Sequence, residues 1–339
     1  MAIKPAEGAY TPYVQLVLES LVTSLKAAAK SMIPGISRED ILLSLIPFPP
    51  FAEQQKIVSK MTELQPFIDE YTVKEQQTRS LNDSFPDQLR KSILQYAVQG
   101  KLVPQDPDDE SASVLLDRIR AEKEQLIAAG KIKRDKHESV IYRRDNSHYE
   151  KIDGVVRCID NEIPFEIPES WEWCRLGSLV QINPRNILPD ELEVGFMPMP
   201  LLKDGFVNEH SYELRKWKDV KSGFTHFSDD DIVVAKITPC FQNRKSAIIK
   251  NLPNGCGAGT TELHVLRDNT HMLWMPYLLL ICKTHDFIES GVKHFSGTAG
   301  QQRVGKDFIS NYLVPLPPLE EQERICTHCQ LLFEVIPKI

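Results

Sequence analysis

Long hydrophobic runs are missing from this 339-residue sequence, and no basic segment at its start leads into an apolar stretch. A secretory leader and a membrane anchor are therefore not expected, and the chain reads as cytoplasmic. Cysteine is sparse and irregular: Cys158, Cys174, Cys240, Cys256, Cys282, Cys326 and Cys329 make an odd set without regular spacing, which excludes a disulfide framework and favours reduced thiols. Positive charge is also short. A net charge of −7 excludes a protein that coats nucleic acid along its whole length, because such binding rests on phosphate neutralisation. No Gly-x-x-x-x-Gly-Lys loop is present to cradle a nucleotide.

What the sequence does contain is an organising stretch from Ile46 to Leu81. It opens Ile46-Pro47-Phe48-Pro49-Pro50-Phe51-Ala52-Glu53-Gln54-Gln55-Lys56-Ile57. The prolines impose an extended entry, and Ala52-Glu53-Gln54 starts a helix with negative charge in its first turn. Ile57, Met61, Leu64, Ile68 and Tyr71 follow at alternating spacings of four and three, a narrow stripe that suits one partner helix. A second copy stands at Val314-Pro315-Leu316-Pro317-Pro318-Leu319-Glu320-Glu321-Gln322-Glu323-Arg324-Ile325. The likeness runs backwards from both hinges. Thr11-Pro12-Tyr13-Val14 matches Met275-Pro276-Tyr277-Leu278, and Ile36-Ser37-Arg38-Glu39-Asp40-Ile41 loosely matches Val304-Gly305-Lys306-Asp307-Phe308-Ile309. This is an internal repeat, offset by four residues between its parts, and two copies are too few for a solenoid.

Taken in order, Thr11 to Lys30 reads as a helix with Val14, Val17, Leu21 and Leu25 on one side, ending before Ile33-Pro34-Gly35. The helix from Phe51 is expected to break at Pro86, and another from Asp87 to about Gln99 stops at Gly100. Ser111 or Ser113 caps a helix through Leu115, Leu116, Ile119 and Leu126 that ends at Gly130. Residues 131–166 read as a polar linker with one hairpin at Asp153-Gly154. From Ile167 the chain becomes a larger module, anchored by Trp171, Trp173, Leu176 and Val180. Strands are expected at Phe196 to Met199, Asp231 to Ile237, Lys245 to Ile249 and Thr261 to Leu266, with a helix from Pro276 to about Gly291. Gly255-Cys256-Gly257-Ala258-Gly259 reads as a tight connection. The class is α+β, a mixed-sheet module attached to long helices of coiled-coil type.

The hinge motif, the duplication, the run Leu89-Arg90-Lys91-Ser92-Ile93-Leu94-Gln95-Tyr96-Ala97-Val98-Gln99-Gly100-Lys101-Leu102-Val103-Pro104-Gln105 and the segment Ile167-Pro168-Glu169-Ser170-Trp171-Glu172-Trp173 together resemble the DNA-specificity (S) subunit of type I restriction-modification systems. The resemblance implies two recognition domains, each reading half of a split site in double-stranded DNA, held apart by two conserved helices that pair as an antiparallel coiled coil. It divides this chain into the tail of a first recognition domain (1–45), a helical spacer (46–130), the linker (131–166), a recognition domain (167–315) and the start of a second conserved helix (316–339). It also implies modification (methyltransferase) and restriction subunits as partners. S-adenosylmethionine, ATP and magnesium would belong to those partners, and no cofactor is expected on this chain. The alternative reading is a truncated or regulatory half-subunit that mainly binds partner proteins through its helices.

Catalytic motifs fail residue by residue. Phe48-Pro49-Pro50-Phe51 lacks the oxygen acceptor with which amino-methyltransferases hold a target amine, and the second copy has Leu316 there. Val234-Ala235-Lys236 has valine where a nuclease needs a carboxylate. Cys326-Thr327-His328-Cys329 offers three zinc ligands at most, on a predicted helix and with no second pair. The remaining chemistry is polar. Between Ile232 and Thr261, and again between Ser290 and Lys306, there is no acidic residue. The candidate DNA contacts are Lys236, Gln242, Asn243, Arg244, Lys245, Thr298, Gln301, Gln302 and Arg303, because Arg can grip guanine, Gln and Asn adenine, and Lys or Thr phosphate. They resemble the family's recognition loops, as does Gly259-Thr260-Thr261-Glu262, whose threonines, with Thr238-Pro239, read as scaffold. The candidate helix-pairing residues are Ile57, Met61, Leu64, Ile68 and Tyr71. A helix from Phe51 to Leu81 spans about 45 Å, whereas the one after Pro318 has about seventeen residues, about 25 Å, before Pro337. Self-association through the uncovered stripe is the expectation.

Overall fold

A computed structural model describes residues 4–28, 41–135, 138–298 and 300–336, without the side chains of 23–28. The stop at Ile33-Pro34-Gly35, the run Ile36 to Asp40, the side chain of Leu25, Ala299 and Pro337 lie outside the described residues. The chain forms two compact units, Met1–Ser84 and Phe85–Ile339. Among the described residues no helix is long and apolar enough to cross a membrane.

In the first unit, α1 (Thr11–Ala28) precedes the Pro-rich hinge and α2 starts at Phe51. The Tyr13 hydroxyl donates to the Pro47 carbonyl at 3.0 Å. Gln54, wholly buried, donates to Pro49 O at 2.8 Å and accepts the Tyr10 N–H at 2.8 Å. The hinge is thereby tied to the start of α1. Val14, Val17 and Leu21 are half-buried.

The predicted break at Pro86 does not occur, since α2 continues from Phe51 to Val98. It passes Pro66 as well, which the periodicity argument overlooked. A proline inside a helix removes one hydrogen bond and crowds the preceding turn, at about 3 kcal/mol. Here the carbonyls left without a partner belong to Thr62 and Asn82, both on exposed residues where water can replace the lost donor. Beyond Pro86 the helix is held by burial of Ile93, Leu94, Ala97 and Val98. Gly100, at φ +68°, ends it: its N–H bonds Ala97 O and the Lys101 N–H bonds Tyr96 O.

In the second unit α3 (Ala112–Ala128) stops at Gly130 in the same manner. Ser111 occupies its N-cap position but makes no cap bond, its hydroxyl meeting that of Ser113 at 2.8 Å. The expected linker is instead a folded meander of β1 (Val140–Arg144), β2 (Ser147–Ile152) and β3 (Val155–Cys158). Its polar composition hid the fold because its inward face buries charge. Glu150 is wholly buried and receives Arg175 Nε and Nη2 at 2.8 and 2.9 Å and Ser139 Oγ at 2.6 Å. Burial alone would raise this carboxyl, but the Arg175 and Ser139 bonds hold it down at about 2.

Four sheets follow among the described residues. β4 (Glu172–Arg175) lies against β15 (Leu313–Leu316). One antiparallel sheet has the order β10-β9-β12-β5, from Ser246–Ile248, Ile232–Ala235, Leu263–Arg267 and Gln181–Ile182. A second, mixed sheet has the order β7-β6-β11-β8, from Glu213–Lys216, Glu193–Met197, Cys256–Gly259 and Thr225–Ser228, with β6 and β11 parallel. β13 (Phe295–Ser296) pairs with β14 (Arg303–Val304). The glycine-rich stretch expected to be a connection is thus an inner strand. Glycine is needed there because a Cβ at Gly257 would lie 2.5 Å from the Phe227 ring and one at Gly259 2.7 Å from Met197 O. The helix expected from Pro276 to Gly291 is two, α4 (Met275–Lys283) and α5 (His285–Lys293), broken where Thr284 Oγ1 accepts the Phe287 N–H and caps α5.

α6 (Lys306–Asn311) leads into β15 and the second hinge, and α7 runs Leu319–Val335. One apolar core joins the end of α2, α3, Trp171, α4, α5, Ile325 and Cys329 to the β9–β12 sheet. Packing therefore unites residues 85–130 with the module after Ile167, although the motifs divide them. At the second hinge the Tyr277 hydroxyl donates to Pro315 O at 2.6 Å, Gln322 donates to Pro317 O at 2.9 Å, and the Trp274 N–H reaches Gln322 Oε1 at 3.4 Å.

Candidate nucleic-acid interface

The sequence motifs at 236–245, 259–262 and 297–304 meet where β9 ends and β12 begins. Where β9 leaves the sheet, Lys236 N donates to Glu262 O at 2.9 Å, Thr238 N to Gln302 O at 3.0 Å, and Val304 N to Lys236 O at 2.9 Å. Ile237 and Arg303 form an antiparallel bridge. His264, buried in β12, accepts from Asn183 Nδ2 at 3.3 Å and so donates Nε2–H to Val304 O at 3.0 Å. Burial, against that bond, lowers its pKa and keeps the ring neutral. These contacts fix the base of the two loops.

Between Ala235 and Lys245 the chain turns back on itself. Asn243 N bonds Pro239 O at 2.9 Å, and Ala235 N bonds Lys245 O at 2.9 Å. Phe241 anchors the turn at 1% exposure among Phe287 and Phe295, and Gly291 leaves room for its ring, since a Cβ there would sit 2.3 Å from it. Gln242 and Asn243 consequently stand exposed at the tip.

The four cations expected on the DNA face have different fates. Arg303 is held by Glu262, with Nε–Oε2 and Nη2–Oε1 both at 2.8 Å, and its Nη1 donates to Gln301 O. That bond draws the Glu262 carboxyl below its ordinary range. Lys245 donates to the Leu202 and Met199 carbonyls at 2.9 and 3.3 Å. Arg244, at φ +57°, donates Nε to Lys283 O at 3.1 Å and lies 5.0 Å over the Phe206 ring, where burial lowers its pKa. The Lys236 side chain alone of the four has no hydrogen bond or ion pair among the described residues. Thr298 and Gln301, which precede Arg303 in sequence, are exposed, and Gln302 is half-buried. The solvent-facing polar set is thus Lys236, Gln242, Asn243, Thr298 and Gln301, while Arg244, Lys245 and Arg303 tie the loops to the protein.

Sequence reasoning passed over Lys283. The available signal was a lone cation ending the apolar helix Met-Pro-Tyr-Leu-Leu-Leu-Ile-Cys-Lys. On the helix-pairing stripe, Ile57 and Met61 are half-buried, while Leu64, Ile68 and Tyr71 are 38%, 44% and 70% exposed. Cys326 and Cys329 are buried or half-buried on α7; burial raises both thiols, Cys329 to about 12.

Residues 168–330 match the family described as type I restriction modification DNA specificity domain. The chain is 48% identical over 238 residues to the type I restriction enzyme EcoAI specificity subunit of Escherichia coli, a match spanning 70% of this chain and 38% of that protein. It is 46% identical over 247 residues to the EcoEI specificity subunit of the same species, spanning 72% and 39%. The matched part is under two fifths of either relative. Among solved structures, one from a study of complex assembly and conformational transition of the type I R-M system matches with TM-score 0.48 at 16% identity, covering 94% of this chain and 61% of that one. The HsdS subunit from Thermoanaerobacter tengcongensis matches with TM-score 0.39 at 17% identity, covering 98% and 65%.

Proposed function

Because the chain belongs to the DNA-specificity family of type I restriction-modification systems, we propose that it is a non-catalytic subunit that reads one half of a split site in double-stranded DNA. The observation that supports the reading is the backbone knot joining residues 236–238 to 302–304 at the foot of the loop whose exposed tip is Gln242 and Asn243; the side chains of Lys236, Gln242, Asn243 and Gln301 make no hydrogen bond among the described residues. Gln and Asn read adenine edges, and Lys236 holds phosphate. Arg244, Lys245 and Arg303 support that surface from behind. Modification and restriction subunits dock on the helices and supply the chemistry.

Selection of bound sequences from random duplex DNA, with the modification subunit co-purified, tests this. Lys236→Ala lowers the salt slope of binding by about one, whereas Gln242→Ala with Asn243→Ala relaxes sequence choice by about 1–3 kcal/mol per lost base contact. An unchanged selected motif in that double variant sinks the surface, and methyl transfer by the purified chain alone sinks the non-catalytic reading.

The stripe of Ile57, Met61, Leu64, Ile68 and Tyr71 pairs with the same stripe of a second copy. Its period suits one partner helix, and exposed apolar area favours association at about 25 cal/mol per Å². Sedimentation of the chain gives a dimer that Ile57→Glu with Leu64→Glu converts to a monomer; a wild-type monomer at tens of micromolar contradicts it.

A further inference from the structure

Lys283 is a buried cation at the end of an apolar helix. It ends α4 at 2% exposure, and among the described residues no carboxylate forms an ion pair with it. Its ammonium donates instead to three backbone carbonyls: Gly205 and Ser246 at 2.9 Å each and Arg244 at 3.2 Å. Burying a lysine charge is costly unless its hydrogens are accepted.

The three acceptors share one feature. Arg244 follows directly on the tip residues Gln242 and Asn243, Ser246 stands two residues further on, and the Gly205 N–H donates to Asn243 O at 2.7 Å. All three carbonyls therefore bracket the exposed tip. The clasp closes from the other side, because Arg244 returns Nε–H to the Lys283 carbonyl and rests on Phe206, the neighbour of Gly205. Three convergent carbonyls suit a donor with three tetrahedrally disposed hydrogens, which the lysine ammonium supplies and the planar guanidinium fork does not. Without it the buried Ser246 carbonyl would lose its donor, and Arg244 O would keep only the Ser246 hydroxyl at 3.4 Å.

We propose that Lys283 is a positioning residue for sequence reading, setting the conformation in which Gln242 and Asn243 are presented to base edges. This rests on the reading of that loop as a DNA contact. A positioning role predicts a loss of discrimination, not merely of affinity, since base contacts specify whereas phosphate contacts only hold.

The test uses the full chain and a duplex library with a random core. The wild type first defines its selected motif, and each variant is then measured on that duplex and on a scrambled one. Lys283→Met, which keeps the stem and removes the ammonium, is expected to reduce the ratio of the two affinities at least tenfold while leaving binding to scrambled duplex and its salt slope near wild type. Arg244→Ala, which opens the same clasp from a half-buried side chain, is expected to reduce the ratio several-fold, and it decides the matter if Lys283→Met does not fold. An unchanged ratio in a folded variant overturns the proposal, as does an equal loss on both duplexes, which would make the clasp structural only. Failure of the wild type to enrich any sequence overturns the underlying reading and the proposal together.

Discussion

The two hinges make the same bonds in different surroundings. In the first, Tyr13 holds Pro47 O and Gln54 holds Pro49 O and the Tyr10 N–H; in the second, Tyr277 holds Pro315 O and Gln322 holds Pro317 O and the Trp274 N–H. Each glutamine N–H bonds the proline four residues earlier at 3.0 Å. Yet Glu53 is exposed, whereas its counterpart Glu321 is wholly buried, accepting Trp171 Nε1–H at 2.9 Å and Gln105 Nε2–H at 2.6 Å. The clamp is therefore a local property of Tyr, Pro-x-Pro-Pro and Gln. Whether the following helix is covered depends on residues far away in sequence.

The largest contrast should come from the glutamates. Glu321→Ala leaves the buried Trp171 indole N–H without its acceptor, at about 1–3 kcal/mol, whereas the exposed Gln105 amide still reaches Gly100 O. Glu53→Ala at the exposed copy should change stability by less than about 0.5 kcal/mol. Equal effects in thermal unfolding would mean that Glu321 is not the bridge its geometry suggests. The glutamines should behave alike instead. Gln322→Ala and Gln54→Ala each cost about 1–3 kcal/mol within their own unit, read by lost exchange protection of the Trp274 and Tyr10 amides. A protected Tyr10 amide in Gln54→Ala would break the equivalence. Smaller still, Tyr277→Phe and Tyr13→Phe each remove one hydroxyl bond, about 1 kcal/mol apiece.

The repeat was legible because its residues carry their own constraints: proline fixes φ, and Glu-Gln after a double proline starts a helix. The four-residue offset between its halves survives in the bonds, which join Tyr13 to Pro47 but Tyr277 to Pro315. Legibility ended wherever a partner lay far off. The meander buries Glu150 against Arg175, 25 residues away, so its alternation looks polar. The inner strand at Cys256–Gly259 looks like a loop until Phe227 is seen across it. At the interface the loops could be named from sequence, but not the destinations of their cations, because Lys245 ends on carbonyls 43 and 46 residues away and Arg244 on one 39 residues away. Lys236, with the same charge and a similar sequence setting, was indistinguishable from them.

The finest difference between the hinges is in pH. Burial raises the Glu321 carboxyl above its ordinary value of 4.5, although the Trp171 and Gln105 bonds and nearby Arg324 pull the other way. In the window from 4.5 up to that raised value the folded state holds a proton that the unfolded state has released. Stability from this group is therefore full below 4.5 and is lost as pH rises through the folded value. Glu150 has the opposite sign: held at about 2, it contributes above 4.5 and loses its contribution as pH falls toward 2, so a scan from pH 5 to 8 keeps the two apart. Glu321→Gln cannot ionise. Its melting temperature relative to wild type should rise with pH across the lower part of that scan and then level off, with the titrations of His210, His226 and His264 cancelling in the difference. Glu53→Gln, changed at an exposed site, is the control for the loss of one charge. A flat difference curve for Glu321→Gln would mean that the second hinge holds its carboxylate as readily as water does, and that burial distinguishes the two copies in packing but not in electrostatics.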